Sequence, residues 1–372
     1  MSNLRRLLLA LFASLLFTQC LAFAGSIYDQ TNLSSDIPGL AATTDANLHN
    51  PWGMSFSGTS PFWVSDQGAH VATLYTGTGA PQALVVSIPP ASGVPSGPTG
   101  QVFAGGQPGF LVGGSGANFI FATLAGTIDA WNNTQGTTAA VEHTTPGAVY
   151  TGLALASDTL FAANFSAKRI DVFDSTFSPV SQAAGAFTDP TIPAAFAPYN
   201  IQAINGLLYV EYAEPAPGGA VQGAGLGFVR VYRPDGSLAS GAPSISGGTL
   251  NAPWGVTVAP SNFGDFTNDL LVGNFGDGDI NAFDPVTGAF LGALMGASGP
   301  VTNSGLWALA TRTGGAGVNT SAVYFTAGIN SEADGLFGAI TVVSPEPGTI
   351  VFAAAGLLTL AMRRRRPRGS AR

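Results

Sequence analysis

The sequence predicts an all-β fold, a single six-bladed β-propeller. Three observations carry that expectation: a strand-rich, charge-poor composition, a start motif recurring six times at near-constant spacing, and six apolar second strands that align with it. Glycine is abundant at 50 of 372 residues, and charged residues make up only 9%. Few lysines and glutamates beside many Gly, Thr, Val and Phe disfavour helices. With 46% apolar residues the chain is not disordered and can bury a sizeable core.

The repeat starts are Pro51-Trp52-Gly53, Pro98-Thr99-Gly100, Tyr150-Thr151-Gly152, Pro198-Tyr199-Asn200, Pro253-Trp254-Gly255 and Leu306-Trp307-Ala308, with third positions 47, 52, 48, 55 and 53 residues apart. That period suits one four-stranded blade. The second strands are Phe62 to Asp66, Phe119 to Thr123, Leu160 to Asn164, Leu208 to Tyr212, Leu270 to Asn274 and Val323 to Ala327. Third strands follow, ending in turn residues such as Pro234-Asp235-Gly236. A lone four-stranded sheet cannot bury both faces, whereas six packed around an axis can. The last repeat shows three strands, ending near Val343, so Ile27 to Leu33 is expected to supply its fourth and close the ring.

Charge divides the chain into three parts. Arg5 and Arg6 precede the first apolar run, six arginines follow the last, and residues 25–343 keep five basic against 20 acidic residues. That excess of about −15 repels nucleic-acid phosphates and tolerates neutral sugars. Residues 1–24 read as a signal peptide: Arg5-Arg6, an apolar run from Leu7 to Phe17, and an Ala22-Phe23-Ala24 cleavage site. Cys20, the only cysteine, lies inside it, so no thiol or disulfide is expected after export.

Residues 344–372 form a tail. Pro345-Glu346-Pro347 precedes an apolar segment, 350–362, and the cluster Arg363, Arg364, Arg365 and Arg366. The segment reads as a short apolar helix, brief for a transmembrane helix of about 20 residues, with its arginines on the cytoplasmic side. In order and content the tail resembles the PEP-CTERM sorting signal of Gram-negative bacteria. That resemblance implies an exosortase partner, transient membrane contact through the tail, export through the inner membrane, and a cell-surface or extracellular location. From about Tyr28 to Ile340 the chain also resembles an uncharacterised bacterial family that often carries this tail. The strings that match are Asn50-Pro51-Trp52-Gly53, Phe62 to Asp66, Val272 to Gly278 and Tyr324 to Asn330. The resemblance implies no activity. Likeness to NHL-type propellers agrees with the repeat count.

Inner strands start, and second strands end, on one face of a propeller. His49, Asn50, Asp66, Asn164, Asn200, Asn251, Asn274, Asp277 and Asn303 are therefore expected around one channel mouth, as a ligand-binding ring or as turn chemistry alone. Asp277 and Asp279 suggest calcium, but two carboxylates fall short of six to eight oxygen ligands and a tight turn explains them. His49, His70 and His143 are dispersed, which disfavours zinc. There is no nucleophile elbow, and Gly113 to Gly116 lacks the Lys-Ser/Thr of a phosphate loop. Trp52, Trp254 and Trp307 could stack on sugars but read as core. No cofactor, metal or catalytic constellation is expected. The sequence reads as a surface or matrix protein binding an envelope glycan, such as exopolysaccharide, or an envelope protein. The rivals are a metal-dependent, lactonase-like hydrolase, and a streptogramin-lyase-like enzyme using His49.

Overall fold

The computed structural model describes residues 25–89 and 97–343. The residues expected to form a signal peptide, including Ala22 and Ala24, lie outside the described residues. So do Pro345, Glu346, Pro347, the segment 350–362 and Arg363 to Arg366. Among the described residues no helix is long and apolar enough to cross a membrane.

Six sheets surround one axis, antiparallel except for a short parallel pair of Ser34 and Ser35 with Thr43 and Thr44 at the edge of the last. Blade 1 is Pro51–Ser55, Phe62–Asp66, Val71–Tyr75 and Val86–Ser87. In blade 2 the inner strand Pro98–Phe103 pairs with Phe119–Thr123, then Thr127–Trp131 and Ala140–Thr144. Blade 4 runs Ala197–Ile204, Leu207–Ala213, Phe228–Tyr232 and Ile245–Ser246, and blade 5 runs Pro253–Val258, Leu270–Asn274, Ile280–Phe283 and Phe290–Ala293. Blade 3 departs from the four-stranded expectation. It has three strands, Tyr150–Ala156, Thr159–Asn164 and Arg169–Phe173, with one bridge from Phe173 to Pro179 in place of a fourth. Blade 6 is Leu306–Thr311, Val323–Ala327 and Leu336–Val342, and its fourth strand comes from the other end of the chain. Tyr28–Ser35 pairs antiparallel with Leu336–Val342, from Tyr28 opposite Val342 to Ser35 opposite Leu336. The ring is thus closed by hydrogen bonds between chain segments about 300 residues apart.

The repeated start motif has a structural cause. In all six blades the pairing of inner and second strand slips at that motif, as between Pro51 and Met54 or Pro253 and Gly255. A β-bulge bends the strand and re-aims a side chain, here at the start of each inner strand. At the third motif position of four blades the next inner strand comes very close. A Cβ on Gly53, Gly100 or Gly255 would fall on Thr99 O, Leu153 N or Trp307 O of the next blade, and one on Gly152 would meet Asn200 Oδ1.

The core follows the seams between blades. Trp63, Leu74, Phe119, Phe121 and Trp131 fill the seam between blades 1 and 2. Analogous clusters fill those between blades 2 and 3, 3 and 4, 4 and 5, and 5 and 6. The sixth cluster joins blade 6 to blade 1 and continues onto the axis through Trp52, Tyr199, Trp254, Phe275 and Trp307.

Candidate functional site in the propeller axis

The bulged motif residues meet at the axis. Trp307 stacks on Trp52 with ring centroids 3.6 Å apart and on Phe275 at 4.3 Å, and it meets the edge of Trp254 at 5.6 Å. Tyr199 packs beside it at 5.9 Å and against Phe165 at 4.7 Å. The three tryptophans are buried, joining blades 1, 5 and 6. Just beyond the rings the channel narrows to about 10 Å³, roughly the space of one water. A cavity opens at each end. The one at the inner-strand starts holds about 530 Å³, and the one at the inner-strand ends about 890 Å³.

The first cavity is floored by Trp52, Phe165, Tyr199 and Trp307 and edged by Gln67 and Glu332. Asn50 ties this edge together. Its Oδ1 accepts from Trp307 Nε1 at 3.0 Å, and its Nδ2 donates to Gln67 Oε1 and Glu332 Oε2, both at 2.9 Å. Burial pushes the Glu332 carboxyl up from its ordinary range, and the Asn50 amide offsets part of that rise. Two buried polar groups of the floor, Trp52 Nε1 and the Tyr199 hydroxyl, have no hydrogen-bond partner among the described residues. Buried polar groups are usually paired, so these two donors are exceptions, sealed beneath the floor.

Glu332 reaches the site by an unusual path. Asn330, Ser331 and Glu332 are consecutive left-handed residues with φ of 53°, 58° and 66°. For non-glycine residues that costs on the order of 1–2 kcal/mol each. The turn is held by Glu332 N–H donating to Gly328 O and Asn330 Nδ2 donating to Asp334 Oδ2 at 2.8 Å. Such strain persists only where the surroundings over-determine it, and it clusters at binding sites.

Of the nine residues expected at the mouth, Asn50 and Asn164 hydrogen-bond residues of this cavity through their side chains, Asn50 to Trp307, Gln67 and Glu332, and Asn164 by accepting from Ser166 Oγ at 3.0 Å. His49 stands beside Asn50, half-exposed, with Nδ1 3.0 Å from Ala333 O and 3.1 Å from Asp36 Oδ2. Asp66 is fully buried within blade 1 and accepts from Thr73 Oγ1 at 2.6 Å; burial pushes its carboxyl well above the usual range. Asn164 donates to Asp171, Asn200 to Trp254 O, and Asn274 to Thr249 O. Asn251 donates to Asp277 Oδ2 at 3.0 Å, and Asn303 exchanges two hydrogen bonds with Gln30 of the closing strand. Asp277 is exposed, and its Oδ1 accepts from the Asp279 amide while Asp279 accepts from Thr302, which is turn bonding.

One cluster among the described residues sets three metal-capable side chains together: Asp36, His49 and Asp334 place one ligand atom each within 4.8 Å of one another. The Ala333 carbonyl can only accept, so the short contact to it puts the proton on His49 Nδ1, and a protonated nitrogen cannot coordinate. Metal binding there would have to displace that bond. Sequence reasoning missed Gln67, Phe165, Tyr199 as a cavity wall, and Glu332. One signal was available for the last, since Glu332 lies two residues beyond the Tyr324 to Asn330 string.

No protein-family model matches the chain. Uncharacterized protein R648 of Acanthamoeba polyphaga mimivirus is 32% identical over 323 residues, which cover 83% of this chain and 78% of the relative. Protein L690 of the same virus is 33% identical over 318 residues, 81% of this chain and 82% of the relative. The chain belongs to the family of these mimivirus proteins. The R648 family relationship spans most of both chains, so it takes in the whole ring of blades rather than one repeat. Among solved structures, a streptogramin B lyase superposes with a TM-score of 0.53 at 14% identity, covering 87% of this chain and 99% of that one. At that identity the likeness is one of fold: it places this R648-family member among six-bladed propellers.

Proposed function

We propose that this protein is exported, sorted to the cell surface through its PEP-CTERM-like tail, and binds a neutral glycan in the axial cavity without altering it. The observation that carries the binding reading is the aromatic floor edged by Asn50, Gln67 and Glu332. Sugar rings present apolar C–H faces and peripheral hydroxyls. Indole and phenol rings suit the first, and amides and a carboxyl suit the second. A cavity of about 530 Å³ lies in the usual range for small ligands. A catalytic reading has one observation in its favour, the raised Glu332 carboxyl, which would suit a general acid. No second titratable acid–base group lines the cavity apart from Tyr199, whose hydroxyl burial pushes up, away from the range of a useful base.

Binding is tested on the purified protein with oligosaccharides released from the producing cells' own surface polysaccharide, followed by tryptophan fluorescence. Gln67→Ala and Glu332→Gln are each expected to weaken binding about three- to tenfold, the worth of one hydrogen bond. The loss should hardly change with salt, because neutral sugars are not held by net charge. Unchanged affinity in both variants, or turnover of the oligosaccharide, would remove this reading.

Export has its own test. Mass spectrometry of the exported protein should find Gly25 as the first residue, and replacing Arg363 to Arg366 with alanine should block tail processing. A lipid on Cys20, or processing that continues unchanged, argues against the sorting assignment.

A further inference from the structure

We infer a second binding site, for the carboxylate of an acidic sugar, in the larger cavity at the opposite mouth, with Arg312 as its anchor. This cavity of about 890 Å³ is walled by the ends of all six inner strands. Its lining contains no aspartate, glutamate or lysine, and Arg312 is its only charged residue. In a chain of net charge −8, that is a local reversal of sign.

Arg312 is also set apart from the other buried cation. Arg230 is paired with Asp189, whereas Arg312 is 4% exposed and makes no salt bridge among the described residues. Its guanidinium carbon sits 4.4 Å from the Phe56 ring centroid and 4.7 Å from that of Phe62. Nη2 donates to Ser57 O at 3.0 Å and Ser60 O at 2.9 Å. Nε and Nη1 have no acceptor among the described residues. Burying a cation without a counter-charge is costly, and two carbonyls with two aromatic faces offset only part of the cost. An anion arriving through the cavity supplies the missing partner.

The rest of the wall selects the class of anion. Gln202, Asn205, Thr257 and Thr311 are neutral hydrogen-bonding groups, and Met54 and Phe103 offer apolar surface. One cation matches one negative charge, whereas a phosphate dianion or a nucleic acid asks for several. The acidic surface elsewhere repels long polyanions. What remains is a singly charged ring bearing hydroxyls, a uronic acid, either free or at the end of a chain.

Calorimetry on the purified full-length protein tests this with glucuronate, its uncharged methyl ester, glucose, a short oligouronate and inorganic phosphate. Glucuronate is expected to bind at least tenfold more tightly than its methyl ester, about 1.4 kcal/mol, and to weaken as salt is raised. Arg312→Gln should abolish that preference while leaving affinity for the ester, and Arg312→Lys should keep part of it. An oligouronate that binds as tightly as glucuronate points to a chain end, and one that fails to bind points to the free sugar; both support the site. The acid–ester comparison uses the unaltered protein, so it stands even where the variants fold poorly. Equal affinity for acid and ester, tighter binding of phosphate than of glucuronate, or no glucuronate binding at about 10 mM overturns the inference.

Discussion

Replacing Arg230 with methionine is expected to cost about 3–5 kcal/mol of stability, the usual loss when one partner of a buried ion pair is removed. Arg230 is 3% exposed on the third strand of blade 4. Its Nε donates to Asp189, Nη1 to Val229 O and Ile245 O, and Nη2 to Thr191 and Ser246. Every nitrogen of the guanidinium is therefore engaged, and the carboxylate it neutralises is itself buried. The pair does a structural job that blade 3 leaves open. That blade has no fourth strand, and the chain from 174 to 196 crosses its rim, meeting the sheet only near the bridge from Phe173 to Pro179. Asp189 and Thr191 fasten this segment to blade 4, and Phe187, Ile192 and Phe196 pack into the seam beneath it. Urea unfolding would measure the loss, and proteolysis within 174–196 should quicken in the variant. The double variant Arg230→Met/Asp189→Leu is expected to recover much of the stability, because no uncompensated charge then stays buried. A loss below about 1 kcal/mol in the single variant would show that the segment is held by its apolar residues alone.

The blade architecture was legible because the features that encode it are local and repeated. A glycine at Gly53, Gly100, Gly152 and Gly255 is demanded by the approach of the next inner strand, so sterics write the repeat into the sequence. The closing strand was legible by subtraction, since the last repeat lacked a fourth strand and Tyr28–Ser35 supplies it. The missing strand of blade 3 was not, because residues 174–196 carry the same turn residues that end a strand elsewhere. The site was legible only in part. Placing the polar ring on one face followed from strand direction, but the aim of each side chain depends on partners distant in sequence. Asn200 turns to Trp254 O and Asn303 to Gln30. Glu332 was hidden for another reason: three successive left-handed non-glycine residues contradict local preference, and tertiary contacts impose them. Arg312 reads in sequence as an ordinary strand-end arginine, and its want of a carboxylate is visible only in three dimensions.

Thermal stability is expected to fall as pH rises above the ordinary carboxyl range of about 4–4.5, and Glu211→Gln is expected to reverse much of that fall, gaining about 1–3 kcal/mol at pH 8. Glu211 is 0% exposed, and neither carboxyl oxygen has a hydrogen-bond partner among the described residues. The matching positions of the other second strands carry small side chains: Ser65, Ala122, Ala163, Gly273 and Thr326. Burial pushes the Glu211 carboxyl well above the usual range, with only its own backbone amide opposing. Asp66 and Asp129 are raised in the same way by burial, each partly offset by a threonine. The sign follows from proton counting. An unfolded carboxyl loses its proton near pH 4–4.5, while the folded one keeps it to higher pH. In that window folding takes up protons, so stability declines as pH rises from the unfolded value through the folded one. Exposed aspartates of turns act oppositely. Asp174, Asp235 and Asp284 are held below the usual range by hydroxyl and amide donors, so their contribution is present above about pH 4 and lost as pH falls below it. Glu211→Gln should therefore flatten the alkaline limb of the stability curve, leave the acid limb in place, and match the parent protein near pH 4. A variant no more stable than the parent at pH 8, with the same slope, would mean that Glu211 finds a partner in solution and is not a source of strain in the ring.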